Sequence, residues 1–501
     1  MQIGGEDPNV TKFRIFSWIG LGMAAVFALT PAAMAQSKDP QVADLLKRIN
    51  ELERKVNELE GVKQKTDNLD QQTKALDQQV RVIDRRQELQ QEEQHEFVSK
   101  LPVVEAGQDG FWLRSPDKKS YSLHIGGYFQ GDGRFYTSQA PTTGAASTNP
   151  SAASTFLLRR ARPYFEGTVA KYFDYKFMLD FGQGQSTLQD AYGDIHYIDE
   201  ARLRFGKFKE PVGLERLQDD RYLTFVERGY PTELVPDRDL GLQFWGQLFE
   251  KQIEYQAGVF NGTPDNVANV DSDNNNPKDF AGRIFVHPFN ASFGEYVKGL
   301  GLGVAGTYGN ERGNTIDTYK SEFQNQVFAY NTGTVASGNR YRIAPQFNYY
   351  WNSLGLFGEF VQNRQSLSGP FGPGKKSVGA PISNYAWQIY TSYVLTGEEA
   401  TYTGVKPRHD FDFSGNSWGA WEIAARLEDL EIDRDAFKLG LANPNYNVRE
   451  AFTWVVGVNW YLNRNVKLMT DYAYTQFSGG APKGSDRHAE SGFLNELQLQ
   501  W

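Results

Sequence analysis

The chain has 501 residues, of which 40% are hydrophobic and 14% aromatic, and this composition excludes a wholly disordered protein. Its formal net charge of -9 argues against a nucleic-acid-binding protein, which would carry a basic surface. The absence of cysteine excludes disulfides and thiolate metal sites.

The first element in chain order is an apolar stretch behind two positive charges. Lys12 and Arg14 precede the apolar residues 15–29, and an Ala-Met-Ala triplet ending at Ala35 supplies a small-x-small cleavage site. This arrangement predicts a secretory signal peptide over residues 1–35, with a permanent N-terminal anchor as the alternative.

The next segment, residues 36–100, has helical periodicity. Its apolar residues alternate steps of three and four, which is the a/d seam of a coiled coil, and charged residues and glutamines fill the other faces. The phase slips by one residue near Gly61, and Thr66 and Thr73 occupy seam positions. We predict a periplasmic coiled coil, with a single extended helix lying on the main domain as the alternative. Residues 101–120 are predicted to be a linker.

From residue 121 onward the apolar residues recur with a period of two, which predicts β-strands. The opposite face repeatedly carries charged residues and glutamine, which suits a wet interior behind a lipid-facing exterior. We therefore predict an all-β fold over residues 121–501, a transmembrane β-barrel of about 16 antiparallel strands preceded by the α-helical coiled coil. The predicted strands are 121–131, 156–169, 171–181, 188–198, 201–209, 239–249, 252–260, 279–287, 299–309, 341–351, 354–364, 384–395, 418–428, 451–462, 465–477 and 490–501.

The predicted connections alternate between two-residue turns, such as Asp199-Glu200, and long polar links. Outer-membrane barrels show this alternation of short periplasmic turns and long external loops. Residues 396–417 are an exception, because they are long where a short turn is predicted. The long links are predicted around 132–155, 261–278, 310–340, 365–383 and 429–450.

A charge-rich insert separates the strands predicted at 201–209 and 239–249. The alternation stops at Glu210-Pro211 and resumes at Leu240, and the segment between them carries both arginines and acids. We predict that residues 210–238 fold into the barrel as a pore-constricting loop. The alternative is an ordinary surface loop.

Several ordered motifs resemble the phosphate-selective porin O/P family. They are Arg202-Leu-Arg-Phe-Gly-Lys-Phe-Lys-Glu-Pro-Val-Gly-Leu-Glu-Arg-Leu, Asp220-Arg-Tyr-Leu-Thr-Phe-Val-Glu-Arg, Arg238-Asp-Leu-Gly-Leu-Gln, Tyr393-Val-Leu-Thr-Gly-Glu, Gly419-Ala-Trp-Glu-Ile-Ala-Ala-Arg and Gly457-Val-Asn-Trp-Tyr-Leu-Asn. The resemblance runs over essentially the whole predicted barrel. It implies a homotrimeric, sixteen-stranded porin of the Gram-negative outer membrane, with an inward-folded third loop. It also implies recognition of the C-terminal strand, which ends in Leu497-Gln-Leu-Gln-Trp, by the barrel assembly machinery. Outer-membrane lipid and lipopolysaccharide are the expected surroundings.

The predicted function is passive diffusion of small hydrophilic solutes, with a preference for anions and phosphate selectivity as the finer hypothesis. In a lumen, guanidinium and ammonium groups replace part of the hydration shell of an anion, and several weak sites in a row allow conduction. We expect Arg202, Arg204, Arg216 and Arg221 to form the constriction. The full candidate set is Arg160, Arg162, Arg202, Arg204, Lys207, Lys209, Arg216, Arg221, Arg228, Arg238, Arg342 and Arg426.

Two alternatives remain open. The acids of the insert nearly cancel its basic residues, so the arginines could pin the loop to the wall instead of binding solute. The protein could also act as a general porin that tethers the outer membrane to peptidoglycan through its coiled coil.

We find no catalytic motif, metal site or cofactor site in the sequence. His124 and His196 are predicted to be lumen or rim residues. The stretch from Asp271 to Asn276 resembles part of a calcium loop, but it lacks the glycine and distal glutamate, which favours a solvated loop.

Overall fold

The computed structural model describes residues 40–108, 110–138, 153–265, 277–289, 294, 296–316, 318–369 and 378–501. The predicted signal peptide and the stretch from Asp271 to Asn276 lie outside these residues. The chain divides into two compact units, Met1–Glu96 and Phe97–Trp501.

A single long helix, α1, extends over Pro40–Lys100. Ion pairs one turn apart support it, such as Lys74 with Asp70 at 2.6 Å. The seam leucines are exposed in the isolated chain, with Leu69 65% and Leu76 62% exposed. Among the described residues, no helix combines the length and the apolarity needed to cross a bilayer. The helix is therefore confirmed, whereas its association with other copies stays a prediction.

The remaining unit is built from antiparallel strands, because its sequence repeats with period two. The strands are β1 Val103–Gly107, β2 Gly110–Arg114, β3 Ser122–Ser138, β4 Thr155–Val169, β5 Phe173–Asp180, β6 Thr187–Ile198, β7 Ala201–Lys209, β8 Arg238–Leu248, β9 Ile253–Phe260, β10 Asp279–Val286, β11 Leu300–Thr315, β12 Tyr319–Lys320, β13 Gln326–Phe328, β14 Val335–Trp351, β15 Leu354–Gly369, β16 Val378–Val394, β17 Ala420–Glu431, β18 Val448–Tyr461, β19 Val466–Gly479 and β20 Glu490–Gln500. Two short helices, α2 Leu214–Leu217 and α3 Arg434–Lys438, lie in connections.

Within the described residues, sixteen of these strands form a closed barrel, as predicted. From β3 to β11 and from β14 to β20, each strand pairs with the next, and β11 pairs with β14. The last strand returns to the first, with Gln500 opposite Tyr128 and Leu494 opposite Arg134. Closure leaves no free edge in the barrel wall, which is the condition for a sheet to span lipid.

Side chains alternate between the outside and the inside of the barrel. On β3, Phe129 is 39% exposed, whereas its neighbour Gln130 is 1% exposed. On β17, Leu427 is 46% exposed, whereas Arg426 is 1% exposed. The exterior is therefore apolar, whereas the inner face carries charged and amide side chains together with buried apolar clusters that pack on the connections inside the barrel.

Residues 101–120, predicted to be a linker, contain a β-hairpin instead. Strands β1 and β2 pair with each other, and β2 also pairs with the start of β3, with Phe111 opposite Ile125. Strand β3 has 17 residues and β20 has 11, so the beginning of β3 extends past its barrel partner. The hairpin covers the backbone groups that this extension would leave unpaired.

The connections largely follow the predicted alternation of short and long. We define the turn end of the barrel as the end with the short turns, such as Asn352-Ser353 between β14 and β15, and the loop end as the other. Several strands continue into the predicted links at the loop end, and β11 and β14 occupy the two ends of the link predicted at 310–340. The long connection 395–419, between β16 and β17, lies at the turn end and is the predicted exception.

Candidate functional site: a charged loop across the barrel interior

The connection between β7 and β8, residues 210–237, is named here the interior loop. Strand β7 ends before Pro211, which has no backbone N–H to donate to a neighbouring strand. Gly213 follows with φ +83°, a left-handed conformation that glycine adopts without strain. Its missing Cβ would lie 3.1 Å from Val235 Cγ2, so the turn also brings the two ends of the loop close together.

Backbone N–H groups of the interior loop bind carboxylates on strands far around the barrel from β7. Each of these carboxylates is buried and lies on the inner face of its strand, so the loop crosses the barrel interior. The bonds run from Leu214 N–H to Glu359 Oε2 on β15 (2.7 Å), from Val226 N–H to Asp471 Oδ2 on β19 (2.7 Å) and from Tyr230 N–H to Glu428 Oε2 on β17 (3.0 Å).

Ring packing and a hydroxyl–hydroxyl hydrogen bond reinforce these anchors on the same side of the loop. Phe225 packs edge-on against Tyr390 with their ring centroids 5.4 Å apart, and the hydroxyl groups of Tyr230 and Thr453 are 2.9 Å apart. Leu214, Phe225 and Val226 belong to one buried cluster with residues of β15, β16 and β18. This side of the loop is therefore fixed to the wall.

The other side of the interior loop meets arginines of β4. Asp220, which is 3% exposed, accepts a hydrogen bond from Tyr128 Oη (3.1 Å) and forms ion pairs with Arg160 (3.1 Å), Arg162 and Arg228. Burial by itself raises the pKa of the Asp220 carboxyl, but Arg162, Arg228 and Arg160 outweigh it and hold that pKa well below its ordinary value. Asp220 is therefore ionised and binds the three guanidinium groups together.

A second carboxylate on the loop, Glu227, binds two arginines. Arg159 Nε and Nη2 donate to its two oxygens at 2.7 and 3.0 Å, and Arg134 Nη2 donates at 2.6 Å. Burial by itself raises the pKa of the Glu227 carboxyl, but Arg159 and Arg134 lower this pKa by more, so it lies below its ordinary value and the carboxyl stays ionised. Bidentate guanidinium–carboxylate pairs of this kind have a fixed geometry.

Sequence periodicity alone missed Arg159. A strict alternation points Arg160 and Arg162 inward and Arg159 toward lipid. The register between β3 and β4 shifts here, because Gln130 lies opposite Arg160 but Gly131 lies opposite Leu158. Arg159 is the extra residue of this β-bulge, which allows two successive arginines to reach the interior.

A first cavity of about 170 Å³ lies between the interior loop, β4 and the connection that contains β12 and β13. Its described lining includes seven basic side chains against four acidic ones, and no aromatic residue. The lining residues are Arg159, Arg160, Arg162, Gln183, Arg216, Asp220, Glu227, Arg228, Thr232, Glu233, Asp237, Arg238, Lys320 and Gln324. The excess of basic groups makes this cavity suitable for an anion.

A second cavity of about 170 Å³ adjoins the first and shares Asp220 and Arg238 with it. Its basic lining residues are Lys176, Arg204, Lys209 and Arg238. A third cavity of about 290 Å³ lies at the turn end, and Arg221 in its wall is ion-paired at 3.0 Å with Asp219 of the second cavity. The three cavities therefore follow one another along the β4 side of the interior loop.

The twelve candidate residues are distributed among these cavities and the wall. Arg160, Arg162, Arg216, Arg228 and Arg238 line the first cavity, Arg204, Lys209 and again Arg238 line the second, and Arg221 lines the third. The structure does not bring together the set expected to form one constriction. Arg216, Arg204 and Arg221 line three different cavities, and Arg202 lies in the wall. Sequence reasoning missed Arg159, Lys176 and Lys320 as lining residues.

The remaining candidates lie in the wall. Arg202 pairs with Asp174 at 2.8 Å, and Lys207 is buried. Arg342 donates to the backbone oxygen of Leu234 at 3.2 Å and pairs with Asp265.

Arg426, on β17, forms ion pairs with two connections and so joins them to the wall. It pairs with Glu322 of the β12–β13 connection at 2.6 Å, and with Glu215 of the interior loop at 3.6 Å. Its guanidinium also lies 4.5 Å from the ring centroid of Phe225. Arg426 and Arg342 therefore hold the loop to the wall, as the alternative predicts, and Arg160 and Arg162 do so through Asp220, while the described lining of the first cavity keeps its basic excess.

The long connection 395–419 also reaches the interior loop. Tyr402 Oη donates to the backbone oxygen of Leu214 (2.6 Å), and Gln218 Nε2 donates to the backbone oxygen of Tyr402 (2.8 Å). The connection packs at its base through a buried apolar cluster that includes Val394, Val405 and Tyr461. The interior loop is therefore supported from the turn end as well as from the wall, which the sequence did not predict.

The histidines named from the sequence lie at the rim and contact carboxylates. His124 Nδ1 lies 3.1 Å from Glu166, and His196 Nδ1 lies 3.0 Å from Asp174. Within the described part of the chain, no group of three or more histidine and acidic residues has the arrangement of a metal site.

Comparison with known proteins gives the family. The profile of the family described as "Phosphate-selective porin O and P" matches residues 129–501, which include nearly all of the barrel. The chain belongs to this porin family. Porin O of Pseudomonas aeruginosa is 24% identical over 430 residues, covering 79% of this chain and 92% of that protein. As a porin, the protein is an outer-membrane channel and not an enzyme.

Several solved outer-membrane barrels are similar to this porin at low identity. The channel DcaP of Acinetobacter baumannii has a TM-score of 0.48 at 9% identity, covering 76% of this chain and 98% of that one. OmpT of Vibrio cholerae, in its trimer form, has a TM-score of 0.47 at 10% identity, with 76% and 100% covered. Salmonella typhi OmpF in complex with daunomycin has a TM-score of 0.46 at 11% identity, with 80% and 100% covered. The barrel of this porin is established by its own strand pairing.

Proposed function

We propose that this porin conducts small hydrophilic anions in preference to cations. The observation that supports the proposal is the first cavity, where seven basic side chains face four acidic ones in the described lining. An anion that enters such a site exchanges part of its hydration shell for guanidinium N–H groups. Because the walls exclude bulk water on several sides, the field of this charge excess is stronger than in free solution.

Conduction requires that an anion can leave each site as well as enter it. In each of the three cavities the basic residues of the described lining outnumber the acidic ones, so an anion moves between several basic sites without occupying one deep trap. The partial pairing of the arginines with Asp220 and Glu227 serves the same end, because it weakens the attraction of each site.

Phosphate selectivity is the finer proposal. It is supported by the description of the family and by the relationship to Porin O at 24% identity. The arginines of the first cavity also suit phosphate, since a guanidinium can present two N–H donors to two phosphate oxygens.

Planar bilayer measurements on the full-length porin test the proposal. In a tenfold gradient of potassium chloride we expect a reversal potential of the sign set by chloride. Inorganic phosphate should then lower the chloride current as it occupies the same sites. A reversal potential of the sign set by potassium would contradict anion preference, and a chloride current unaffected by phosphate would contradict phosphate binding alone.

We further propose that the porin is a homotrimer whose turn end and helix α1 face the periplasm. The short turns at one end of the barrel support this orientation, and the apolar exterior suits an environment of lipid and lipopolysaccharide. The terminal residues of β20 are the proposed signal for the barrel assembly machinery.

A second role, as an envelope tether that reaches peptidoglycan, is supported by the length of α1 and by its exposed apolar seam.

The seam of α1 makes a testable prediction about assembly. We expect a peptide of residues 36–100 to associate in sedimentation equilibrium, because its exposed leucines gain burial only against other copies. Replacing Leu69 and Leu76 by aspartate should make the peptide monomeric. Aspartate at the off-seam residues Gln71 and Gln78 should leave its association intact. A monomeric wild-type peptide would leave the alternative of a single extended helix.

A further inference from the structure

We propose that the third cavity is a second solute site, which takes organic anions with a flat aromatic body, whereas the first cavity takes compact inorganic anions. The inference extends the proposed function and rests on its view of the barrel interior as an anion pathway. It concerns a different place, at the turn end, with a different lining.

The chemistry of the third cavity differs from that of the first in its aromatic residues. Its lining includes the side chains of Tyr164, Tyr222, Tyr461 and Trp501, whereas the described lining of the first cavity has no aromatic ring. The volume of about 290 Å³ lies near the lower end of the roughly 300–1,000 Å³ range of small-molecule sites. A single ring with one acidic substituent matches this size, and tyrosine faces provide the apolar contact that such a ring seeks.

The same cavity supplies positive charge for an acidic substituent. Arg221, Lys406, Arg464 and Lys467 line it, and Glu166 is its acidic lining residue. The negative charge of Glu166 is already balanced by an ion pair, because Lys176 Nζ lies 3.0 Å from its Oε2. The charge that remains for a solute is therefore positive.

Two of these basic residues are available to a solute. Lys406 and Arg464 are exposed at the turn end, and among the described residues no acid lies in ion-pair contact with either. Arg221 by contrast pairs with Asp219 and donates to Tyr164 Oη at 3.0 Å. We therefore assign the carboxylate of the solute to the Lys406 and Arg464 side of the cavity.

The ring would lie against aromatic groups that are held in place. The Arg221 guanidinium lies 5.2 Å from the ring centroid of Tyr164 and 5.3 Å from that of Tyr222. Gly404 in the connection 395–419 has φ +83°, and a Cβ there would lie 3.2 Å from Tyr222 Cδ1. The connection therefore packs closely against Tyr222 at Gly404, and the basic residue Lys406 lies two residues after Gly404.

The test measures block of the chloride current through the full-length porin in planar bilayers. Three probes are added from the turn end: benzoate, acetate as the same carboxylate without a ring, and benzyl alcohol as the ring without charge. We expect benzoate to reduce the current at concentrations at which neither of the other two does. Equal block by benzoate and acetate would overturn the proposal.

Variants locate the block. In Lys406→Gln and in Tyr222→Leu, we expect the benzoate concentration for half block to rise about threefold to tenfold, the size of one charge-assisted or aromatic contact. Lys483→Gln, at an exposed lysine of the loop end, is the matched control and should not change it. Lys406 is exposed, so its replacement reports on the site even if Tyr222→Leu disturbs the interior loop. Unchanged half-block concentrations in Lys406→Gln would overturn the proposal.

The reversal potential of the same membranes separates this inference from the proposed function. Benzoate block that depends on Lys406, in a pore with the reversal potential of chloride, supports both. A pore with the reversal potential of potassium that still shows such block retains the second site but contradicts anion preference. A chloride-selective pore without ring-dependent block retains the proposed function and refutes the second site.

Discussion

Replacing Arg216 and Arg228 together by glutamine is expected to remove most of the anion preference of the pore. Both guanidinium groups line the first cavity, and their loss leaves five basic side chains against four acidic ones in its described lining. A glutamine amide at Arg228 can reach the position of the Nε–H group that donates to Glu215 O at 3.0 Å, but the Nη bonds to Thr232 O and Gln218 O and the ion pair with Asp220 are lost. The charge is removed, while the backbone bonds of the loop to Glu359, Asp471 and Glu428 do not involve the replaced side chains.

The measurement is the reversal potential in a tenfold gradient of potassium chloride. A perfectly selective pore would give about 59 mV for a singly charged ion. We expect the wild-type potential to have the sign of chloride and the double variant to move toward zero by more than half of that value. Arg312 and Arg449 are exposed and lie outside the cavities, so their double replacement by glutamine is the matched control. An unchanged potential in the Arg216 and Arg228 variant would show that the first cavity does not select ions.

Replacing Arg426 by methionine is expected to produce the largest loss of stability. The guanidinium has no measurable side-chain exposure and balances Glu215, Glu322 and Glu428 at 3.6, 2.6 and 3.5 Å. Methionine fills much of the same space but leaves three carboxylates without their shared cation. Removal of one partner from a buried ion network costs about 3–5 kcal/mol.

The same change should disturb the pore, because Arg426 joins β17 to the interior loop and to the β12–β13 connection. We expect the free energy of unfolding in lipid vesicles, measured by denaturant titration, to fall by about 3–5 kcal/mol. The open-pore current should also become noisier, since both segments lose an anchor. The matched control is Arg449→Met at an exposed arginine of β18, which should change stability by less than about 0.5 kcal/mol. If Arg426→Met resembles that control, Arg426 does not hold the loop.

The barrel strands were predictable because their signal is local. Strand β7 has the predicted bounds, and every predicted barrel strand has its counterpart, since a period of two is visible within about five residues. The strand ends were less predictable. Strand β3 continues to Ser138 and β11 to Thr315, because pairing with a neighbouring strand persists after the apolar alternation has ended.

The candidate site was only partly predictable. The sequence identified the interior loop and most arginines of the first cavity. It could not assign their partners, because Arg162 and Asp220 are 58 residues apart and Arg426 and Glu322 are 104 apart. It also missed Arg159, since a β-bulge is decided by the register of two strands and not by either strand alone.

The sequence by itself determined the alternation of lipid-facing and wet side chains, the long helix with an exposed seam, and the charged insert between β7 and β8. Only the tertiary structure decided which arginines face a cavity and which hold the loop to the wall. The physical reason is that side-chain periodicity is a property of each strand, whereas charge pairing depends on barrel closure. Closure places residues from distant parts of the chain within hydrogen-bonding distance in a buried interior, where an ion pair and a free charge differ most in energy.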